Sequence, residues 1–160
     1  MPFNCLLWHC LQLGEGVKEN NVRAIFQKEK NSSEVILIFK TDHPEYKKRF
    51  APGVVSDFLF YYRNLANAHG KVYLVFVELG GNKGDHSVTQ LKETVKKVTD
   101  ELKKISLFEA TRCYALVVFS GGSGPQGIDR FQREFNRDYQ TKLIAKHKDR
   151  VDLRDVFTFE

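Results

Sequence analysis

Three nearly continuous apolar segments constrain the fold of this chain more than any other feature of its sequence. They are residues 54–62 (VVSDFLFYY), 71–79 (KVYLVFVEL) and 112–120 (RCYALVVFS). A strand that is apolar on both sides is typical of a central sheet whose two faces are both covered. Each segment has the length of a strand and falls far short of the ~20 residues that a membrane-spanning helix needs, so we expect no membrane partner.

Apolar residues at helical spacing predict two amphipathic helices. The stripe of the first helix consists of Val88, Leu91, Val95, Val98, Leu102 and Ile105. The stripe of the second helix, which is predicted to run from residue 128 to about residue 139, consists of Ile128, Phe131 and Phe135. The other faces of the first helix carry many lysines and glutamates, and a solvated face is the favoured interpretation of that charge.

Weaker patterns predict the remaining elements. We expect a short helix in residues 3–13, a β-hairpin from residues 22–27 and 34–40, a loop with one helical turn in residues 41–52, and a final hairpin from residues 143–146 and 151–156. The predicted order of strands and helices is that of an α/β (α+β) protein with a mixed central β-sheet flanked by helices. With no repeat and no convincing linker, residues 1–160 are predicted to form a single domain.

Charge and cysteine content bound the partners and the compartment. The chain has 25 Lys and Arg against 20 Asp and Glu, a net charge of +5 that permits nucleic-acid binding without requiring it. Its cysteines, Cys5, Cys10 and Cys113, form no CxxC pair. A disulfide framework or a structural zinc site is therefore not expected, and free thiols suit a cytoplasmic location. The N-terminus lacks the pattern of a signal peptide.

Two carboxylates stand out because they interrupt apolar strands. Asp57 lies within residues 54–62, and Glu78 lies near the end of residues 71–79. A buried carboxylate without a partner is costly, so each one needs a partner, a metal ion or an exposed strand end. If the two strands are adjacent, both carboxylates reach one edge of the sheet, where two acidic oxygens, a backbone carbonyl and waters are typical of a Mg²⁺ site. Solvent-exposed strand ends are the alternative.

The segments around these carboxylates resemble the PD-(D/E)XK restriction-endonuclease-like superfamily, and small bacterial members of it most closely. The similarity runs through VSDFLFYY, VYLVFVELGG and DHSVTQLKETV. It extends more weakly over the C-terminal helix and hairpin, so that it covers about residues 22–156. It implies a restriction-endonuclease-like fold and hydrolysis of phosphodiester bonds with Mg²⁺ or Mn²⁺. It also implies a nucleic-acid substrate, DNA rather than RNA, and is compatible with a homodimer.

The resemblance assigns roles to individual residues of this chain. The metal ligands that it implies are Asp57, Glu78 and the carbonyl oxygen of Leu79. Gln90 falls where many members have a helix glutamine that faces the site. Some members use a further acid near the N-terminus, and either Glu15 or Glu19 could supply it here.

One residue departs from the family pattern. The family has a lysine two residues after the second acid, which orients the attacking water, and this chain has Gly80 there. Lys83 is the nearest candidate to replace it. The leading prediction is thus a metal-dependent nuclease-like domain with Asp57, Glu78, Lys83 and Gln90 as catalytic residues.

Phosphate contacts in that nuclease are expected from two lysines of the first helix, Lys92 and Lys96. The alternative function is a catalytically degenerate nuclease fold that binds nucleic acid or a protein, and Gly80 is its main support. A glycine-rich segment, residues 121–127 (GGSGPQG), invites comparison with a phosphate-binding loop. It lacks the Gly-Lys-Ser/Thr ending of such loops, so a flexible connection is favoured.

Overall fold

The computed structural model describes residues 8–19, 21–30, 32–50, 55–67, 70–80, 84–104, 109–121 and 124–159. Its nine strands are β1 (Leu11–Gln12), β2 (Gly16–Glu19), β3 (Val22–Ile25), β4 (Glu34–Lys40), β5 (Phe58–Asn64), β6 (Val72–Gly80), β7 (Thr111–Phe119), β8 (Thr141–His147) and β9 (Arg150–Asp152). Its helices are α1 (Pro44–Phe50), α2 (Gly84–Lys104) and α3 (Ile128–Tyr139). Short 3-10 turns cover Trp8–Cys10 and Leu153–Asp155.

Six of the strands form one mixed sheet in the order β1-β4-β5-β6-β7-β8. The first four strands in this order pair antiparallel, whereas β6, β7 and β8 run parallel to one another. Helices α2 and α3 make the crossovers that parallel neighbours require. The remaining strands form a second sheet in the order β2-β3-β9, with β3 and β9 parallel.

Each face of the large sheet has its own apolar core. On one face, Leu74 and Phe76 of β6 pack with the first five residues of the predicted α2 stripe and with Phe135 of α3. The last stripe residue, Ile105, lies outside the described residues. On the other face, Val75 and Val77 pack against apolar residues of the small sheet, including Phe26 just after β3. Alternate residues of one strand thus enter opposite cores, which is why the central strands are apolar on both sides.

The structure confirms the predicted fold class, a mixed α/β arrangement with a large central sheet and flanking helices. The three apolar strands and both amphipathic helices are present within a few residues of their predicted bounds. Among the described residues, no helix is both long and apolar enough to cross a membrane.

Both predicted hairpins are wrong. The strand at residues 22–25 pairs with Gly16–Glu19 and Arg150–Asp152, while Glu34–Lys40 lies in the other sheet beside β5. At the C-terminus, β8 extends the large sheet, and β9 crosses to the small one. A polar connection is compatible with a hairpin or with a change of sheet, and distant apolar partners decide between them.

The N-terminal prediction is also wrong where it can be compared. Residues 11–12 form an edge strand that pairs antiparallel with β4, and residues 8–10 form a 3-10 turn. The rest of the predicted helix, residues 3–7, lies outside the described residues. The single helical turn expected in residues 41–52 is the seven-residue helix α1.

Candidate metal centre

The structure brings Asp57 and Glu78 together at one end of the β5–β6 pair. Phe58 of β5 lies opposite Val77 of β6, so the next residues along the two strands are the two acids. The backbone N–H of Asp57 donates to Glu78 Oε2 at 3.2 Å, and the N–H of Leu79 donates to Asp57 Oδ2 at 2.7 Å. Glu78 is only 4% exposed, so it is not a solvent-exposed strand end.

Burial and mutual repulsion disfavour the charged forms of both acids. Burial raises the pKa of Asp57 to about 6, although the Leu79 N–H opposes this shift. Burial and the neighbouring charge of Asp57 together raise the pKa of Glu78 to about 9, although the Asp57 N–H opposes that shift. At neutral pH the pair therefore holds about one proton, mainly on Glu78.

The electrostatic surroundings of this pair are mostly negative. The charge of Glu19 raises the pKa of both acids, the charge of Asp42 raises that of Asp57, and Lys40 partly offsets these effects at Asp57. Within the described part of the chain, neither Asp57 nor Glu78 forms an ion pair. Two close carboxylates that lack a cationic partner form a site that a bound cation would stabilise.

The donor set fits a hard divalent cation that keeps several waters. Each carboxylate uses one oxygen to accept a backbone N–H, which leaves Asp57 Oδ1 and Glu78 Oε1 without a hydrogen bond among the described residues. No cluster of three or more His, Cys, Asp or Glu side chains is found in the described ranges. The other ligands would be carbonyl, water or substrate oxygens, as Mg²⁺ commonly takes.

Helix α2 fixes the backbone that leads into Asp57. The Gln90 side-chain amide donates to the carbonyl of Val55 at 3.2 Å. One turn later, Thr94 Oγ1 accepts the N–H of Ser56 at 2.7 Å and donates to the carbonyl of Gln90 at 3.0 Å. These bonds make Gln90 and Thr94 positioning residues for the segment that carries Asp57.

A second threonine holds the same segment from the β4 side. The N–H of Thr41 donates to the carbonyl of Asp57 at 2.9 Å, and its hydroxyl donates to the carbonyl of Ser56. Sequence reasoning missed both Thr41 and Thr94. Of the two, only Thr94 could have been noticed in the sequence, because it is a polar residue within the apolar stripe of α2. In the structure it is 1% exposed.

The structure gives a physical reason for glycine at position 80. A Cβ atom at Gly80 would clash with the Ser87 hydroxyl and would lie 3.2 Å from the Ser87 Cβ. Ser87 belongs to the first turn of α2 and is buried, so it has little room to withdraw. The close approach of α2 to the end of β6 therefore requires a residue without a side chain at this position.

The other predicted site residues have different placements. Lys83 lies outside the described residues. Lys92 donates to Glu134 of α3 at 2.5 Å, while Lys96 is exposed. Leu79 contributes its N–H to Asp57, and a metal-ligand role for its carbonyl stays a prediction.

The N-terminal acid and the glycine-rich segment can also be placed. Of the two acids considered, Glu19 is the one whose charge acts on Asp57 and Glu78. In the segment 121–127, the N–H of Gln126 donates to the Asp85 carboxylate at 2.9 Å, where a bound phosphate would meet a negative charge. This contact favours the structural interpretation of that segment.

Comparison with known proteins leaves the functional argument to this geometry. No protein-family model matches the sequence. No curated protein shows significant similarity to the chain. No solved structure shows significant similarity to its fold.

Proposed function

We propose that this chain is a divalent-metal-dependent, nuclease-like domain that hydrolyses phosphodiester bonds of nucleic acid, with Mg²⁺ or Mn²⁺ held by Asp57 and Glu78. One observation carries the proposal. The two acids lie side by side and largely buried, each with one oxygen free of hydrogen bonds and neither in an ion pair among the described residues. The resemblance to the PD-(D/E)XK superfamily supports nucleic acid as the substrate, DNA in preference to RNA.

Each residue of the proposed centre has a physical task. The Leu79 N–H holds Asp57 Oδ2 and leaves the other carboxylate oxygen for a cation. Glu78 would release its proton on binding a cation, because the cation would replace the proton as the balancing charge. A bound divalent metal would supply Lewis-acid stabilisation of the phosphate and a water of lowered pKa. Gln90 and Thr94 keep the Asp57 segment in place.

Cleavage of DNA tests this proposal. We expect supercoiled plasmid to be nicked or linearised in Mn²⁺ or Mg²⁺, and cleavage to stop in EDTA, because the centre requires the metal charge. The variant Asp57→Asn should lose at least about 100-fold in rate, the order of effect of removing an electrostatic catalytic group. Glu93→Gln, which changes an exposed acid on the outer face of α2, is the matched control.

The outcome that would contradict the proposal is clear. Cleavage by Asp57→Asn at the rate of the Glu93→Gln control would show that any nuclease activity originates elsewhere. Folding of each variant is checked by its circular dichroism spectrum and Tm, so that loss of activity is not confused with loss of structure.

A second candidate function is a catalytically degenerate nuclease fold that binds nucleic acid or a protein. The packing of Gly80 against Ser87 favours it, because a lysine at position 80 would clash with that serine. The double variant Gly80→Lys/Ser87→Gly makes room for the side chain and tests this alternative. Cleavage that appears only in the double variant would show that the chain binds metal and substrate but lacks the lysine.

A further inference from the structure

An arginine groove runs along the exposed side of α3. Arg130, Arg133 and Arg137 lie three and four residues apart, which places all three within about 60° of one another around the helix axis. With Glu134 they line a groove of about 410 Å³. On the opposite side of α3, Phe135 is fully buried against the large sheet, so the helix presents the arginines outward on a fixed base.

The groove is cationic despite the glutamate in it. Glu134 accepts a short bond from Lys92 of α2, with Nζ–Oε1 at 2.5 Å, so its charge is already neutralised. Arg137 is paired with Asp138, with Nε–Oδ1 at 2.5 Å. Among the described residues, Arg130 and Arg133 form no ion pair, and both are exposed. Two unpaired guanidinium groups therefore dominate the charge of the groove.

The arginine groove begins on the same edge of the sheet as the candidate metal centre. Helix α2 starts just after β6, whose end carries Glu78, and α3 starts after the parallel neighbour β7. The two helix starts are joined, because the N–H of Gln126 donates to Asp85 Oδ1 at 2.9 Å. The end of the groove at Arg130 therefore lies toward the edge of the sheet that carries the acids.

We propose that the arginine groove of α3 binds the sugar-phosphate backbone of the nucleic acid, an inference that rests on the proposed function for the identity of its partner. Guanidinium groups match phosphate oxygens in a bidentate geometry, and this makes arginine well suited to such contacts. From Arg130 to Arg137 the helix rises about 10 Å, at about 1.5 Å a residue. Measured along the axis of a duplex, that length covers about three base-pair steps, at about 3.4 Å each.

This inference changes the role of Lys92. The sequence predicts a phosphate contact for this residue, whereas its ammonium group is bonded to Glu134. Its contribution is then indirect, since removing it would release a negative charge into the arginine groove. Lys92→Gln is expected to weaken backbone binding because it leaves Glu134 unneutralised, and Lys92→Gln/Glu134→Gln should restore binding.

Salt-dependent binding of a short fluorescein-labelled DNA duplex, measured by anisotropy in EDTA, tests the inference. Arg130→Gln/Arg133→Gln is expected to weaken binding by about tenfold or more and to reduce the slope of log K against log salt by about 2, since two phosphate contacts are lost. The matched control, Lys28→Gln/Lys30→Gln, removes the same charge from exposed positions in the connection from β3 to β4.

The inference would be overturned if the unmodified chain bound no duplex at about 50 mM salt, or if the arginine variant matched the lysine control in affinity and slope. Arginine-dependent binding to phosphatidylserine vesicles, without binding to the duplex, would also overturn it. Because the assay contains no metal, it is separate from the cleavage test. Binding without cleavage would contradict the nuclease function alone, and cleavage with equal binding by both variants would contradict only the arginine groove.

Discussion

We expect Glu78→Gln to stabilise the metal-free protein at neutral and alkaline pH. The pKa of Glu78 is about 9 in the folded chain and near 4.5 when unfolded, so folding takes up a proton between these values. The stability contributed by this group is therefore present below about pH 4.5 and is lost as the pH rises toward 9. Glutamine avoids that loss, because it stays neutral and its oxygen can still accept the Asp57 N–H.

The expected gain is large for a single substitution. At pH 7 it amounts to about 3 kcal/mol in the free energy of unfolding, from the separation of the pH and the unfolded pKa at about 1.4 kcal/mol per unit. Urea denaturation in EDTA at pH 5, 7 and 8.5 measures it, and the difference between variant and unmodified chain should widen with pH. A variant that is less stable than the unmodified chain at pH 8.5 would show that the Glu78 carboxylate is already compensated within the protein.

Added metal should reverse this order. A cation that binds only the folded chain stabilises it by mass action, so Mn²⁺ is expected to raise the Tm of the unmodified chain and leave Glu78→Gln almost unchanged. A residue that destabilises the metal-free protein, but through which added metal stabilises it, has a binding role rather than a structural one.

We expect the opposite result at Glu34, where the second large effect lies. Glu34 is also buried, at 6% exposed, but Arg154 donates to its Oε2 at 2.6 Å and the Tyr62 hydroxyl donates to its Oε1 at 2.8 Å. Burial acts to raise its pKa, and these bonds, together with those from Ser32 and the Glu29 N–H, outweigh burial and lower the pKa to about 2. Glu34 therefore contributes stability above about pH 4.5 that is lost as the pH falls toward 2.

Glu34→Gln is expected to cost about 3 kcal/mol at pH 7, because Arg154 loses its short bond to a buried carboxylate and keeps, among the described residues, only the 3.5 Å ion pair with exposed Glu29. The loss should shrink as the pH falls toward 2, in contrast to Glu78→Gln, whose effect grows as the pH rises. The measurement is urea denaturation of both single variants and of Glu34→Gln/Arg154→Met. If the double variant loses the sum of the two single effects, Glu34 and Arg154 do not act as a pair.

The contact between Glu34 and Arg154 could not be predicted from the sequence. Arg154 lies 120 residues from Glu34 along the chain, and its guanidinium group lies 5.0 Å from the centre of the Phe26 ring. A glutamate at the start of a strand and an arginine near the C-terminus have no local pattern that links them. They come together because β9 crosses to the small sheet, whereas the sequence predicted that this segment would pair with β8 in a hairpin.

Local sequence patterns correctly predicted the central strands and the long helix. The apolar strands β5, β6 and β7 and the stripe of α2 are visible in the sequence because both sides of these strands and one side of the helix are buried. The adjacency of Asp57 and Glu78 could also be predicted from the sequence, because consecutive strands commonly pair. The bonds of Thr41 and the clash at Gly80 could not be predicted, because they depend on how closely the end of β4 and the first turn of α2 approach the ends of β5 and β6.

Binding of a divalent metal by Asp57 and Glu78 is tested most directly by calorimetric titration of Mn²⁺ at pH 7. The chains compared are the unmodified protein, Asp57→Asn and the control Glu93→Gln, each alone and with a phosphorothioate duplex that can complete the ligand set. We expect saturable binding by the unmodified chain and by Glu93→Gln, release of about one proton per metal, and no binding by Asp57→Asn. Equal binding by Asp57→Asn, or no binding by the unmodified chain with or without the duplex, would contradict the proposed metal centre.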